Sequence, residues 1–224
     1  MSALLQKCVR PFKRLLPRGT RNRRLLFGPA AGCVMPIDLH SRLRTYLGVY
    51  EFELNRHFRR MVKRGANCFD IGGRDGYDAL MIASLSRGRV VSFECDAAGA
   101  ESMRRVFAAN PALSIQVVEA FVGLELGPGY TTIDRAAEQL FVPDFIKMDI
   151  EGAEDAALEG AAKTLATRRP HLIIEVHGTD KEENCISILR GQGYRIAIVD
   201  QSQLWKDSAR GTGHNRWLAA YGSD

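Results

Sequence analysis

The chain has 224 residues, of which 46% are hydrophobic and 25% are charged, so it can bury one good core and is too short for two domains of ordinary size. Its longest apolar run falls far short of the ~20 residues that a membrane-spanning helix needs. The five cysteines are odd in number and form no C-x-x-C pair, which disfavours disulfides or a zinc site and favours reduced thiols in the cytoplasm.

The positive charge of the chain is concentrated at its N-terminus. Residues 1–36 carry eight basic side chains and no acid, and because the whole chain is +5, the remainder has a net charge of −3. Between residues 4 and 16, apolar side chains share one side of a helical wheel and basic ones such as Lys7 the other, although Pro11 and Pro17 interrupt such a helix. Two interpretations stay open: a mobile basic tail, or a helix that docks on the domain, on a membrane surface or on an acidic partner.

A linker and a helical segment precede the first strand. Residues 25–37 are rich in Gly, Pro and Ala and are predicted to be a linker, with a strand pair between Gly32 and Leu39. A helical pattern of apolar residues then runs from Ser41 to Gly65. We therefore expect a basic extension and linker over residues 1–40 and one folded domain over residues 41–224.

The stretch from Asn67 to Gly76 is predicted to be a buried strand followed by a glycine turn. Gly72, Gly73 and Gly76 permit positive φ angles and let another molecule approach the backbone closely. From Tyr77 onwards the apolar period becomes helical. A strand, a glycine turn and a helix make half of a nucleotide-binding unit, so these glycines are candidate cofactor-binding residues.

The spacing in this turn favours a cationic ligand over a pyrophosphate. A dinucleotide site takes G-x-G-x-x-G, and the middle of that pattern is broken here. Asp70 closes the strand and Asp75 lies in the loop, where both carboxylates would repel a phosphate. Asp70 is expected to hold the ammonium and sulfonium end of S-adenosylmethionine, directly or through the loop. The alternative is an ordinary strand-turn-helix corner with solvated acids.

The next two predicted strands end in further candidate cofactor contacts. Glu94 ends the second strand and falls 24 residues after Asp70, the interval at which nucleotide-binding folds place the acid that binds the ribose hydroxyls. The third strand, Ser114 to Glu119, ends at Glu119 and Ala120, where an adenine amino group could be bound.

The fourth predicted strand, from Asp144 to Asp149, runs into the densest carboxylate cluster of the chain. The cluster consists of Asp149, Glu151, Glu154 and Asp155. Because ligands of open α/β sheets lie beyond the carboxyl ends of the strands, Asp149 is expected in the same crevice as Asp70 and Glu94. Asp149 and Glu151 are candidate catalytic residues, whereas the helix dipole already explains acids at positions 154 and 155.

The fifth predicted strand, from His171 to Glu175, brings Glu175 and His177 to the same edge of the sheet. His177 is the sharper candidate for a catalytic base facing Asp149, since an imidazole titrates near neutral pH and can accept a proton from a hydroxyl nucleophile. A purely structural histidine is the alternative.

The order of these elements predicts an α/β fold, a doubly wound and mostly parallel sheet of about seven strands. The last part of the chain is predicted to hold a sixth strand over Tyr194–Val199 and a final strand over Asn215–Tyr221. Between them, the polar segment from Gln201 to His214 is long enough to act as a lid or as a wall of the acceptor site.

Five short motifs together resemble the FkbM-type methyltransferases. They are Phe69-Asp70-Ile71-Gly72, Phe93-Glu94, Thr132-Ile133-Asp134, the run from Ile146 to Glu154, and Glu175-Val176-His177. The resemblance extends from about Gly48 to the C-terminus, and it implies a Rossmann-like class I fold with S-adenosyl-L-methionine as the cofactor. Cys95, which stands where the family usually has proline, is included among the expected cofactor contacts. Gly73-Arg74 stand where the family usually has Ala-Asn.

These observations predict an S-adenosylmethionine-dependent methyltransferase that modifies a hydroxyl of a small metabolite or of a sugar or glycolipid, the sugar coming from the resemblance alone. The expected catalytic residues are Asp149, Glu151, Glu175 and His177, with His177 or Asp149 taking the proton. We predict no nucleic-acid partner and no metal, and a divalent ion on the three carboxylates is the open alternative. A nicotinamide-dependent oxidoreductase and a non-catalytic nucleoside-binding protein are the rival classes.

Overall fold

A computed structural model describes residues 16–200 and 215–222 of the chain. The predicted interfacial helix, apart from its last residue, and the expected lid loop with Trp205 lie outside the described residues. Within the two described ranges, no helix is both long enough and apolar enough to cross a bilayer.

The described elements alternate between strands and helices along the chain. The strands are β1 (Arg21–Arg24), β2 (Val34–Ile37), β3 (Cys68–Ile71), β4 (Val90–Glu94), β5 (Ile115–Glu119), β6 (Phe121–Val122), β7 (Tyr130–Thr131), β8 (Phe145–Met148), β9 (His171–His177), β10 (Arg195–Val199) and β11 (Asn215–Tyr221). The helices are α1 (Leu39–Tyr46), α2 (Asn55–Met61), α3 (Tyr77–Ser86), α4 (Ala97–Ala108), α5 (Ile133–Gln139), α6 (Glu154–Glu159), α7 (Ala162–Thr167) and α8 (Thr179–Gly191).

Seven of these strands form the central sheet, in the order β10-β11-β9-β8-β3-β4-β5. The strands are parallel except β11, which runs antiparallel between β9 and β10. From β3 the chain moves outwards through β4 and β5 and then returns to β8 on the other side of β3. This confirms the predicted doubly wound, mostly parallel sheet, and it puts a topological switch point between β3 and β8, where such sheets bind ligands.

Both faces of the sheet are covered, as the apolar sequence of its parallel strands requires. In β3, Cys68 belongs to the core cluster that contains Leu80 of α3, whereas Phe69 and Ile71 belong to the cluster that contains Leu158 of α6. Successive residues of a strand point to opposite faces. Asp70 therefore lies on the same face as Cys68, the face covered by α3.

The segment predicted as a linker is a packed hairpin. Strands β1 and β2 pair antiparallel, and Met35 and Ile37 of β2 are fully buried. The side-chain amide of Asn110 clamps β2 to the end of α4, because its Oδ1 accepts the Val34 N–H at 2.8 Å and its Nδ2 donates to the Val34 carbonyl at 2.7 Å. Part of this segment, including Met35 and Ile37, therefore belongs to the core, whereas Leu26 and Phe27 are exposed. The domain boundary at residue 40 stays a prediction.

Two predicted helices are interrupted at glycines that another segment approaches closely. The pattern from Ser41 to Gly65 divides into α1, a 3-10 turn over Phe52–Leu54 and α2. Gly48 lies between α1 and the 3-10 turn. It has φ +68°, and a Cβ atom there would fall on the Phe27 carbonyl oxygen. The helix predicted after the fourth strand divides into α6 and α7 at Gly160, whose carbonyl accepts the Asp134 N–H at 3.0 Å. The helical spacing of apolar residues could not reveal these contacts, because they join residues that are distant in sequence.

Candidate active site

Two clefts open at the switch point, beyond the carboxyl ends of β3, β4 and β8. The Glu94 cleft has a volume of about 380 Å³, and its walls include Phe93, Glu94, Cys95, Ala120, Ile150 and Glu151. The Lys147 cleft has a volume of about 430 Å³, and its walls include Arg42, Tyr50, Glu51, Gly73, Asp78 and Lys147. Gly72, Arg74 and Asp149 line both clefts, so the two clefts meet at these residues.

Hydrogen bonds from β4 close the turn after β3. The N–H groups of Gly72 and Gly73 both donate to the Phe93 carbonyl, at 3.0 and 2.9 Å. The Arg74 N–H donates to Oε2 of Glu94 at 2.9 Å. A phosphate-binding loop points such amides at its ligand. Here the three amides are used within the protein.

The start of α3 is capped from within the loop as well. Oδ1 of Asp75 accepts the Tyr77 N–H at 3.0 Å, and Oδ2 of Asp75 lies 2.5 Å from the Arg42 guanidinium. The negative charge of Asp75 is therefore balanced by the Arg42 guanidinium. The expectation that Asp70 and Asp75 repel a pyrophosphate by charge is wrong. A pyrophosphate is disfavoured because the donors it would need are already occupied.

The three glycines of the turn have different neighbours. Gly72 and Gly73 face the clefts. Gly76 has φ +82°, and a Cβ atom there would meet the ring of Phe107. Gly76 lines neither cleft, so its predicted cofactor contact is corrected to the packing of α3 on α4.

Gly72 allows β3 and β8 to approach each other at the crevice, and its replacement by alanine tests this. Gly72 has φ +83°, and a Cβ atom there would fall on the carbonyl oxygen of Asp149. We expect Gly72→Ala to lower the free energy of unfolding by about 3 kcal/mol or more, measured by urea denaturation. Gly65→Ala is the matched control, because Gly65 has φ +84° with no atom near its Cβ position, so it loses only about 1–2 kcal/mol. Equal losses would contradict the role of the close approach.

Asp70 does not reach either cleft. Its side chain is 0% exposed, Oδ2 accepts the Ser92 hydroxyl at 2.6 Å, and Oδ1 lies 4.0 Å from the Lys147 ammonium. Burial raises the pKa of Asp70 to about 6, although the charge of Lys147 opposes this shift. The predicted direct contact with a cofactor is therefore wrong, because Asp70 points into the face covered by α3. A role through the loop stays a prediction.

Lys147 lies among three carboxylates behind the Lys147 cleft. Its ammonium is 2.9 Å from Asp78, 3.8 Å from Asp149 and 4.0 Å from Asp70. Burial alone would lower the pKa of Lys147, but Asp78, Asp149 and Asp70 raise it well above its ordinary value. The lysine thus stays charged and holds Asp149 at the junction of the clefts. Sequence reasoning assigned it no role, although a lysine within a buried strand signals buried partners.

Glu94 is the acid on the wall of its cleft. Oε1 accepts the Asp96 N–H at 2.9 Å and Oε2 accepts the amide of the turn, so the carboxylate is fixed with further acceptor positions remaining. Cys95 and Ala120 line the same cleft, whereas Glu119 does not. The Glu119 carboxylate instead lies 3.5 Å from Arg104. The adenine contact predicted for its side chain is therefore wrong, because that side chain points away from the cleft.

His177, at the carboxyl end of β9, connects Asp149 to a buried glutamate. Its Nδ1 lies 2.8 Å from Oε1 of Glu154, and its Nε2 lies 3.6 Å from Asp149 and 4.0 Å from Glu175. The hydrogen bond to Glu154 raises the pKa of His177, while burial opposes it and the charge of Asp149 adds to it. With Nδ1 donating to Glu154, Nε2 faces Asp149 and is the atom that can exchange a proton.

Glu154 is the residue that sequence reasoning misjudged most. Its side chain is 0% exposed, and Oε1 also accepts the Gly152 N–H at 2.9 Å. The helix dipole was expected to account for it, but a carboxylate buried this completely needs a specific partner, and His177 is that partner. By contrast, Asp155 is partly exposed and forms an ion pair with Lys181 at 2.7 Å.

The remaining candidates separate into two groups. Glu151 is exposed on the wall of the Glu94 cleft and does not join the histidine cluster. Asp149, Glu175 and His177 each bring one ligand atom to within 4.8 Å of the others, a spacing that could hold a metal ion. This set differs from the three carboxylates considered above, because β9 brings the imidazole rather than Glu151 to the site.

Comparison with known proteins gives one family match and several related folds. Residues 128–196 match the methyltransferase FkbM domain, a segment that contains the carboxylate cluster and His177. A comparison with curated protein sequences gave no match.

Solved structures share the fold at low sequence identity. The FkbM methyltransferase from Methylobacillus flagellatus is 20% identical, with a TM-score of 0.55 over 88% of this chain and 56% of that one. The precorrin-6y C5,15-methyltransferase from Geobacter metallireducens is 15% identical, with a TM-score of 0.55 over 77% and 88% of the two chains. The fibrillarin from Aeropyrum pernix, solved with natively bound S-adenosyl-L-methionine, is 14% identical, with a TM-score of 0.53 over 71% and 68%.

Proposed function

We propose that this chain is an FkbM-type class I methyltransferase, and that it transfers the methyl group of S-adenosylmethionine to a hydroxyl oxygen of a small metabolite or of a sugar or glycolipid. The hydrogen bond between Glu154 and His177 carries the proposal. Nε2 of this histidine lies 3.6 Å from Asp149, the residue at which the two clefts meet. A base beside that junction suits an acceptor that must lose a proton as it is methylated.

S-adenosylmethionine is the cofactor, and the two clefts suit its two ends. The carboxylate of Glu94 is fixed by two backbone amides and can still accept from the ribose hydroxyls. The Lys147 cleft presents both guanidinium and carboxylate groups, including Arg42 and Asp78, which match the opposite charges of an α-amino acid. Asp149, at the junction, attracts a sulfonium. Once bound, the cofactor supplies an electrophilic methyl group.

The protein contributes alignment and proton transfer. Asp149 and His177 would bind the acceptor hydroxyl beside the junction, and holding two reactants in line is the largest part of such a rate enhancement. Nε2 of His177 then takes the hydroxyl proton, and Glu154 stabilises the resulting imidazolium through Nδ1. Glu175 is 4.0 Å from Nε2 and adds negative charge that favours the same protonated state.

Both rival classes account less well for the site. A nicotinamide cofactor needs free amides for its pyrophosphate, and those of residues 72–74 are occupied. A protein that only binds nucleosides does not need the buried carboxylate of Glu154 hydrogen-bonded to His177 outside the cofactor clefts. Burying such a carboxylate is costly.

The proposal is tested by incubating the chain with S-[methyl-D3]-adenosylmethionine and a panel of hydroxylated metabolites, sugars, glycolipids and RNA. We expect a +17 Da product only with hydroxyl acceptors, and tandem mass spectrometry should locate the label on oxygen. Label on carbon or on RNA would overturn the acceptor class. Binding of NADH with no binding of S-adenosylmethionine, measured by calorimetry, would overturn the function itself.

Removing divalent ions is expected to leave methyl transfer unchanged. His177 works as a base in this proposal, so the Asp149, Glu175 and His177 cluster operates without a metal. Activity measured after exhaustive EDTA treatment and gel filtration should equal that of the untreated enzyme. Loss of activity that Mg²⁺ or Mn²⁺ restores would instead assign these residues to a metal.

The basic N-terminus is proposed to make peripheral contact with an anionic membrane or an acidic partner, and the domain to work in the cytoplasm. Four cysteines of the described residues are free thiols, which fits a reducing compartment. Deletion of residues 2–15, which spares β1, is expected to weaken binding to phosphatidylglycerol vesicles in a flotation assay and to leave kcat for methyl transfer unchanged. Unchanged flotation would remove the membrane contact.

A further inference from the structure

Another cavity lies at the opposite end of the sheet from the candidate active site. It has a volume of about 460 Å³ and is lined by Arg56, His57, Arg60, Arg195, Ile196, Ala197 and Tyr221. Tyr221 pairs with Arg195 at the start of β10, and it follows Ala220, which pairs with Leu172 near the start of β9. His177 ends β9, so the cavity is about 20 Å away along the strand.

A chain of hydrogen bonds fixes the inner wall of this cavity. Nε of Arg56 donates to Nε2 of His57 at 3.0 Å, so this ring nitrogen is an acceptor and the proton of the neutral ring is on Nδ1. Nδ1 lies 2.7 Å from the Tyr221 hydroxyl oxygen and donates to it. The phenolic O–H is then left to donate to another acceptor. Burial lowers the pKa of His57, and Arg56 and Arg60 lower it further, which keeps the ring neutral.

Three guanidinium groups line the cavity beside Tyr221. Those of Arg60 and Arg195 lie 4.9 and 5.2 Å from the centroid of the Tyr221 ring, and Arg56 is held by His57. In the part of the chain that the structure describes, no carboxylate forms an ion pair with any of the three. Among the described residues, the cavity thus concentrates positive charge and donors with no carboxylate paired to them.

We infer that this cavity binds a phosphate group. A tetrahedral phosphate has several acceptor oxygens, so it can take donors from three guanidiniums and one hydroxyl on different elements, whereas a carboxylate has two oxygens in one plane and matches a single guanidinium. A nucleobase does not fit, because the ring of Tyr221 is buried and two guanidiniums lie over it, so no stacking platform remains. The phosphate comes from a soluble phosphorylated compound or from a lipid headgroup.

The test compares the full-length chain with a pocket variant and a matched control variant. The pocket variant is Arg60→Gln with Arg195→Gln, which removes two guanidiniums and leaves His57 and Tyr221 in place. The control is Arg59→Gln with Arg64→Gln, which removes the same charge from exposed positions outside the cavity. One arm measures the affinity for inorganic phosphate by calorimetry at constant ionic strength. The other measures flotation with vesicles of phosphatidylcholine and phosphatidic acid in a 3:1 ratio.

We expect the pocket variant to lose about tenfold or more in affinity in at least one arm, with the control variant close to wild type. A loss in the phosphate arm identifies a soluble ligand, and a loss in the vesicle arm alone identifies a lipid headgroup. Equal behaviour of the two variants in both arms, or no binding by the wild type in either, overturns the assignment. S-adenosylmethionine affinity should be unchanged in both variants, so this outcome does not depend on the proposed methyl transfer.

Discussion

Replacement of His177 by asparagine is expected to lower kcat/KM for methyl transfer by about 10²- to 10⁴-fold, the usual contribution of a positioned general base. The Kd for S-adenosylmethionine should hardly change, because His177 lines neither cleft and its ring faces the carboxylates of Asp149, Glu154 and Glu175. Initial rates with labelled cofactor give kcat/KM, and calorimetry gives Kd. The matched control is His171→Asn at the opposite end of β9, which should keep near wild-type rates.

The pH profile separates a catalytic His177 from a merely structural one. The hydrogen bond to Glu154 raises the pKa of His177 above its ordinary value of about 6.5, so kcat/KM should rise with pH as the imidazole loses its proton above that value. In Glu154→Gln the imidazolium loses a stabilising charge, so its pKa falls and the rising limb moves to lower pH. If the rise of kcat/KM with pH did not move in Glu154→Gln, or if it persisted in His177→Asn, His177 would not be the catalytic base.

Replacement of Lys147 by methionine is expected to lower the free energy of unfolding at pH 7 by about 3–5 kcal/mol, measured by urea denaturation. The reason is that Asp70, Asp78 and Asp149 would lose the cation that compensates them within 4.0 Å. Burial already raises the pKa of Asp70 to about 6, and without the lysine it rises further. A carboxyl with a raised pKa costs stability as pH increases through that value.

The deficit of the Lys147 variant should therefore shrink on going from pH 7 to pH 5, where the carboxyls take up protons. Lys163→Met is the matched control, because Lys163 forms an ion pair with Glu138 at 2.9 Å on the surface, and water screens such exposed pairs so that they add little to stability. If the two variants lost the same free energy, or if the Lys147 deficit were independent of pH, the buried carboxylates would not depend on this lysine.

Short sequence patterns were enough to predict much of the site, because the conformation of a strand, turn or helix depends mainly on residues close together in the chain. The run from Cys68 to Gly76 gave strand, turn and helix, since β-propensity, positive φ and helical period act within a few residues. Glu94 and Asp149 could be placed at strand ends for the same reason. Asp70 could not, because adjacent strand residues point to opposite faces, and only packing against α3 and α4 decides which face is buried.

The sequence by itself determined the doubly wound fold and placed Glu94, Asp149 and His177 near the carboxyl ends of strands that border one crevice, because periodicity and spacing encode these directly. Only the tertiary structure decided which acids serve that crevice. Glu154 became the partner of His177 because β9 lies beside β8, and Lys147 became the counter-charge of three carboxylates because β8 pairs with β3. Contacts between residues distant in sequence are set by strand order, which a one-dimensional pattern does not record.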